Sequence, residues 1–201
     1  VLSAKELDEV KDFGRYLDVD GDGIPYRTYP GTHPTKGSFF TRGTSHNEYA
    51  KYSEAGDDYV YKVDRLLRKF ETAKKYVPRP EITKASEDTS TGILFFGTTR
   101  YAALESLDIL EENGLHLDAI RIKAFPFNEE VLQFLDDHES IFVVEQNRDA
   151  QMRTLLINEF DYSPKKLKSV LNYDGTPITA DLIAQKISRS LEIKQHQSLG
   201  I

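Results

Sequence analysis

The sequence contains no cysteine. That excludes disulfides, iron–sulfur ligation and thiolate chemistry within the chain, and it agrees with a reducing, cytoplasmic setting. No apolar run approaches the roughly 20 residues that a membrane-spanning helix requires, and nothing at the start reads as a signal peptide. Positive charge is also scarce. Lys and Arg number 26 against 33 Asp and Glu, a net charge of −7, so neither nucleic acid nor an anionic membrane is an expected partner. There is no GxGxxG or GxxxxGKS phosphate loop, no HExxH zinc pattern and no internal repeat. An initiating Met is missing as well. The chain begins in mid-pattern with VLSAKELDEVKDF and is expected to be part of something longer.

The 201 residues, 39% hydrophobic and 29% charged, suffice for one medium domain with an extension, and wholesale disorder is not expected. The two halves follow different patterns. From residue 92 onward short apolar runs alternate with helical periods. GILFFGT (92–98), DAIRIKAF (118–125), SIFVVEQN (140–147) and the weaker KKLKSVLNY (165–173) read as strands. YAALESLDILEENG (101–114), FNEEVLQFLDDHE (127–139), AQMRTLLINEF (150–160) and TADLIAQKISRSLE (179–192) read as helices. Gly114 is placed to stop the first of these, and Asn128 and Thr179 to cap the second and last. Strands joined by helices predict right-handed crossovers and a largely parallel sheet. Residues 92–201 are therefore expected to form an α/β domain. Residues 1–91 are expected to be an irregular extension, an amphipathic helix at 57–77 and a linker with one short edge strand. On that helix Val60, Val63, Leu67, Phe70 and Val77 make one apolar stripe.

The candidate chemistry lies mostly in the extension. DVDGDG (18–23) spaces Asp18, Asp20 and Asp22 like calcium ligands, but Tyr29 occupies the position of the closing Glu, and a solvated turn is the favoured reading. His33 and His46 have no zinc-type partners, and His116 and His138, at helix ends, are expected on the surface. His46, in TRGTSHNEY beside Arg42, reads equally as a substrate-orienting residue or as part of a hydrogen-bonded loop. Arg27, between Tyr26 and Tyr29, has the packing an anchoring guanidinium needs for a carboxylate, although spacing alone favours a structural role. Carboxyl ends of strands are where an open α/β sheet meets ligands or partners. Of these, Glu145, Gln146, Asn147 and Arg148 read as an interface onto another subunit or domain rather than a ligand site.

Several segments in order resemble one family: DGDGIPYRTYPGTHPTKGSFFTRGTSHNEYAKYSE (20–54), VDRLLRKFETA (63–73), AFPFNEEV (124–131), VVEQNRDAQMRTLL (143–156) and LNYDGTPITA (171–180). They are similar to the C-terminal part of alpha subunits of 2-oxoacid:ferredoxin oxidoreductases, most of all the 2-oxoglutarate type. The resemblance implies a fold like the transketolase C-terminal domain, a three-layer α/β/α sandwich on a mostly parallel five-stranded sheet with one antiparallel strand. It implies an enzyme that uses thiamine diphosphate with magnesium, iron–sulfur clusters and coenzyme A to turn a 2-oxoacid into acyl-CoA, CO2 and reduced ferredoxin. The chain alone would bind none of these cofactors and would be inactive. Its partners would be the thiamine-binding domain of the same subunit, the beta subunit and, through the complex, ferredoxin. Arg27 would bind the 2-oxoacid carboxylate, and Thr41, Arg42 and His46 would either help recognise a distal carboxylate or brace the loop. Two other readings stand beside this one: a non-catalytic module of a multisubunit assembly, and a stand-alone α/β ligand-binding domain.

Overall fold

A computed structural model describes residues 1–38 and 45–198, with side chains described as far as Glu192. The chain divides into two compact units, Val1–Val77 and Pro78–Ile201.

The second unit contains the sheet. Its strands are β1 (Glu81–Thr83), β2 (Thr91–Phe96), β3 (Asp118–Ile122), β4 (Ser140–Glu145) and β5 (Leu167–Leu171), in the order β1-β3-β2-β4-β5. All neighbouring pairs are parallel except β1, which runs antiparallel along β3 with Ile82 opposite Ile120. The unit thus begins before residue 92. The stretch expected as a linker supplies the edge strand, so its backbone belongs to the sheet.

Side-chain alternation along the strands builds two cores. Ile93 and Phe95 of β2, Ala119 of β3 and Phe142 and Val144 of β4 face one side. There they meet Ala103 and Leu110 of α3 (Arg100–Glu112) and Ile183 and Ile187 of α6 (Ala180–Ser198). Leu94, Ile120, Ile141 and Val143 face the other side. They meet Val131, Phe134 and Leu135 of α4 (Glu129–Asp137) and Leu156 of α5 (Gln151–Phe160). A five-stranded mixed sheet between two helical layers is the architecture that the alternating pattern and the family resemblance led one to expect.

Two sequence signals work locally as read. Gly114 follows α3 with φ +72°, the left-handed conformation that ends a helix. Thr179 Oγ1 accepts the Leu182 amide at the start of α6. Gly92 has a different reason. A Cβ there would lie 2.8 Å from the Phe134 ring, so the strand approaches α4 only because this position is bare. Gly92→Ala is expected to destabilise the sheet unit by about 1–3 kcal/mol through overpacking, readable as a lower urea midpoint.

His138 is a correction. It was expected on the surface but is 2% exposed. Its Nε2 lies 3.1 Å from Asp118 Oδ2, its Nδ1 lies 2.7 Å from the Phe134 carbonyl, and its ring tilts against that of Phe134. Asp118 also accepts from Lys84 Nζ at 2.6 Å and from the Ala85 amide at 2.9 Å. The position that ends helix α4 therefore turns inward to satisfy a carboxylate at the start of β3.

The first unit has two helices, α1 (Ala4–Glu9) and α2 (Gly56–Ala73), with turns between them. α1 is short but closed by a capping box: Ser3 Oγ accepts the Glu6 amide, and the Glu6 carboxylate accepts the Ser3 amide. α2 departs from expectation in which side it buries. Val60, Val63, Leu67 and Phe70 remain 45–65% exposed, while Arg65 is its buried residue. The loop before the helix docks on the polar face instead. Gly23 makes this possible, because at φ +80° a Cβ on it would sit 2.3 Å from the Lys69 amide nitrogen.

Candidate functional site

The polar, aromatic stretch at 24–38 takes its shape from α1. Lys36 Nζ donates to the Leu7 and Val10 carbonyls at 2.6 and 2.7 Å, supplying a cation and donors to the carbonyl end of that helix. His33 Nδ1 accepts from the Thr35 and Lys36 amides at 3.1 and 3.0 Å, which leaves its Nε2–H to donate to Asp8 at 3.0 Å. The Leu2 amide donates to the Arg27 carbonyl at 2.7 Å. Arg27 thus stands on a segment tied at both ends, with its side chain exposed.

Below it, α2 holds the loop of residues 18–24. Arg65 Nη1 donates to the Gly23 carbonyl at 2.9 Å, Thr72 Oγ1 to the Asp22 carbonyl at 2.5 Å, and Arg68 pairs with Asp18 at 3.2 Å. The carboxylates of Asp18, Asp20 and Asp22 come within 4.8 Å of one another. Two of them already accept backbone amides, Asp18 from Gly23 and Asp22 from Ile24, which is how a self-capped turn behaves. The letters DGDG therefore serve a turn docked on α2, and among the described residues no strand follows them before α2 as a diphosphate–magnesium motif would need. The residues here do not fit thiamine diphosphate.

Tyr16 gathers His46 with two arginines. The His46 ring stacks on it with centroids 4.0 Å apart, and the guanidinium carbons of Arg15 and Arg65 lie 5.1 and 5.9 Å from its centroid. His46 is fixed further by its Nδ1, 3.0 Å from the Asn47 carbonyl, and by a bridge to Tyr52. Burial first, and the positive charge of Arg27 second, press the Arg15 guanidinium below its ordinary range. Tyr16 opposes this and Arg65 adds to it. Arg27 and Arg65 are thus each within electrostatic reach of Arg15. Of the residues expected from sequence, His46 lies in this cluster, and Arg27 is within electrostatic reach of its Arg15. Thr41 and Arg42 lie outside the described residues.

The other expected residues belong to the sheet unit. Glu145 is fully buried, which corrects its assignment to an interface. Its carboxylate accepts the Met152 and Arg153 amides at 2.7 and 3.0 Å, capping α5, and the Asn147 side chain at 2.8 Å. Gln146 and Arg148 are exposed and Asn147 is half-buried. Gln146 donates to Thr99 Oγ1 at 3.1 Å across the ends of β2 and β4. A shallow cavity of about 430 Å³ opens there, between Gly97–Thr99 and α5. It lies where successive crossovers leave to opposite sides, the usual place for a crevice in such sheets. Among the described residues, no helix is long and apolar enough to cross a membrane.

No protein-family model matches the chain. It is 25% identical over 185 residues to the alpha subunit of 2-oxoacid:ferredoxin oxidoreductase 2 from Aeropyrum pernix, and 26% identical over 149 residues to the corresponding subunit from Saccharolobus solfataricus. These matches cover 90% and 72% of the chain but 28% and 23% of the relatives, so the chain spans about a quarter of their length. Its fold is similar to a solved structure of 2-oxoglutarate:ferredoxin oxidoreductase from Magnetococcus marinus. That likeness has a TM-score of 0.75 at 18% identity and covers 88% of this chain and 30% of that one. By sequence, then, the chain is a homologue of part of the alpha subunits of 2-oxoacid:ferredoxin oxidoreductases.

Proposed function

We propose that the chain is the C-terminal part of the alpha subunit of a 2-oxoacid:ferredoxin oxidoreductase, and that 2-oxoglutarate is its substrate. The observation that carries this reading is Arg27, exposed on a loop braced by α1 and within electrostatic reach of Arg15, in a unit where His46 is locked against Tyr16. A guanidinium matches a carboxylate with two parallel hydrogen bonds. Arg27 then holds the carboxylate of the 2-oxoacid, and His46, locked against Tyr16, orients the substrate. Thiamine diphosphate with magnesium, held by other parts of the complex, supplies the carbanion chemistry of decarboxylation, and coenzyme A takes the acyl group. The products are succinyl-CoA, CO2, a proton from the coenzyme A thiol and two electrons delivered through iron–sulfur clusters to ferredoxin. The solved relative has 2-oxoglutarate, coenzyme A and succinyl-CoA bound, which supports this choice of substrate. Partners on this reading are the thiamine-binding domain of the same subunit, the beta subunit and ferredoxin, in the cytoplasm.

The test uses the full-length alpha subunit assembled with its beta partner, with thiamine diphosphate, magnesium and methyl viologen. Dye reduction that requires coenzyme A and is faster with 2-oxoglutarate than with pyruvate is the expected result. No turnover with any 2-oxoacid would remove the catalytic reading. The exposure of Val60, Val63 and Leu67 on α2 favours the second reading, a non-catalytic module of a multisubunit assembly, which would then stand.

A further inference from the structure

Helix α2 carries its polar anchors and its apolar row on opposite sides. The helical period places Arg65 and Thr72 on the side that holds the 18–24 loop, through the Gly23 and Asp22 carbonyls. Val60, Val63 and Leu67 lie across the helix from them at alternating spacings of three and four residues, and are 57%, 45% and 65% exposed. Tyr59 and Leu66, also exposed, widen this row on one flank. The spacing is that of a coiled-coil seam, by which one helix meets another, and a contiguous exposed apolar patch marks an interaction surface. The other flank is acidic. Asp57, Asp64 and Glu71 recur there every seventh residue, and all three are exposed. Glu71 also accepts from Lys74 Nζ at 2.8 Å.

The charges decide the occupant, because the residues flanking a seam select its partner through ion pairs. Two antiparallel copies of α2 would set one acidic row against the other. Two parallel copies would set it against Tyr59 and Leu66, which offer no charge. An anionic membrane surface fails as well, since helices that lie on it flank their apolar face with Lys and Arg. We propose that the Val60–Val63–Leu67 seam docks an amphipathic helix from another part of the assembly, with an apolar row of its own and a row of Lys or Arg that meets Asp57, Asp64 and Glu71. The match to 28% and 23% of the relatives' length leaves the greater part of such an enzyme to supply that helix. Its place in an oxidoreductase complex rests on the proposed function; the chemistry of its recognition does not.

The test places the photo-crosslinker p-benzoylphenylalanine at position 67 of the full-length subunit in the assembled complex, and the crosslinked segment is identified by mass spectrometry. The expected product is a segment with apolar residues at three- and four-residue spacing and Lys or Arg along one flank. The same complex carrying Asp64→Lys and Glu71→Lys is expected to give about fivefold less of that product, as reversal of two exposed ion pairs implies. Both positions are exposed on the helix surface, so an unchanged melting temperature shows that the fold is kept. A crosslink to α2 of a second copy, to a segment without a basic row, or to nothing would overturn the proposal. So would an undiminished yield in the charge-reversed complex. Dye reduction measured on the same preparations keeps the two readings apart. A complex inactive toward every 2-oxoacid that still gives the charge-sensitive crosslink upholds the docking site and removes the functional reading, and turnover without the crosslink does the reverse.

Discussion

Arg27→Ala in the assembled enzyme is expected to raise KM for 2-oxoglutarate by about ten- to a hundredfold, the loss of one charged hydrogen-bonding partner at roughly 1.5–3 kcal/mol. The structural role of this residue lies in its backbone, whose carbonyl accepts the Leu2 amide, and alanine supplies the same carbonyl. The side chain is exposed, so its removal opens no cavity. The segment beside it is pinned independently by Lys36 and His33. A rise in KM with an unchanged melting temperature therefore reports on substrate and not on the fold. Arg27→Lys separates charge from shape: it keeps the attraction but loses the planar fork, and an intermediate KM is expected. An unchanged KM in Arg27→Ala would remove the residue from the substrate site.

Asp118→Ala is expected to destabilise the sheet unit by about 3 kcal/mol, because the Ala85 amide loses its acceptor and the buried His138 Nε2 its hydrogen-bond partner, and Lys84 loses its ion pair. Lys84 is largely exposed, so most of the loss comes from the other two groups. The same carboxylate gives a pH signature. Burial pushes its pKa up, but Lys84, the Ala85 amide and His138 together carry it below the ordinary value. A carboxyl depressed on folding contributes stability above its unfolded pKa and loses that contribution as pH falls through the folded one. Urea unfolding should therefore show a wild-type advantage over Asp118→Asn that is full at pH 7 and shrinks below about pH 4. An advantage that does not change with pH would mean that hydrogen bonding to the neutral group suffices.

Much of the sheet unit was legible because its signals are local. The run at 141–144 is apolar on both sides of the strand, and period-3.6 patterns with caps or stops separate the strands. The extension was harder to read. α1 has only six residues, too few for a period to emerge, although Ser3 and Glu6 do spell the S-x-x-E capping signature. On α2 the apolar stripe pointed to Val60, Val63, Leu67 and Phe70 as the buried face. Docking of the 18–24 loop instead buries the polar face around Arg65, a tertiary event with no local sign. Arg27 drew notice from its aromatic flanks, whereas Arg15 and Arg65, fifty residues apart in sequence, are both brought to the Tyr16 ring by the fold. Asp118, Lys84 and His138 likewise come from three separate elements, and the end position of His138 on α4 suggested solvent.

The two cores on opposite faces of the sheet share strands but almost no side chains. Phe142 and Val144 answer to α3 and α6, and Ile141 and Val143 to α4 and α5. A volume change on one face is compensated by its own helical layer, without renegotiation across the sheet. Each layer can therefore drift in sequence on its own schedule, provided its positions stay apolar and its total volume is kept. This makes a backbone that outlasts its own residues, and it is one reason a chain 18% identical to its solved relative still folds along the same path.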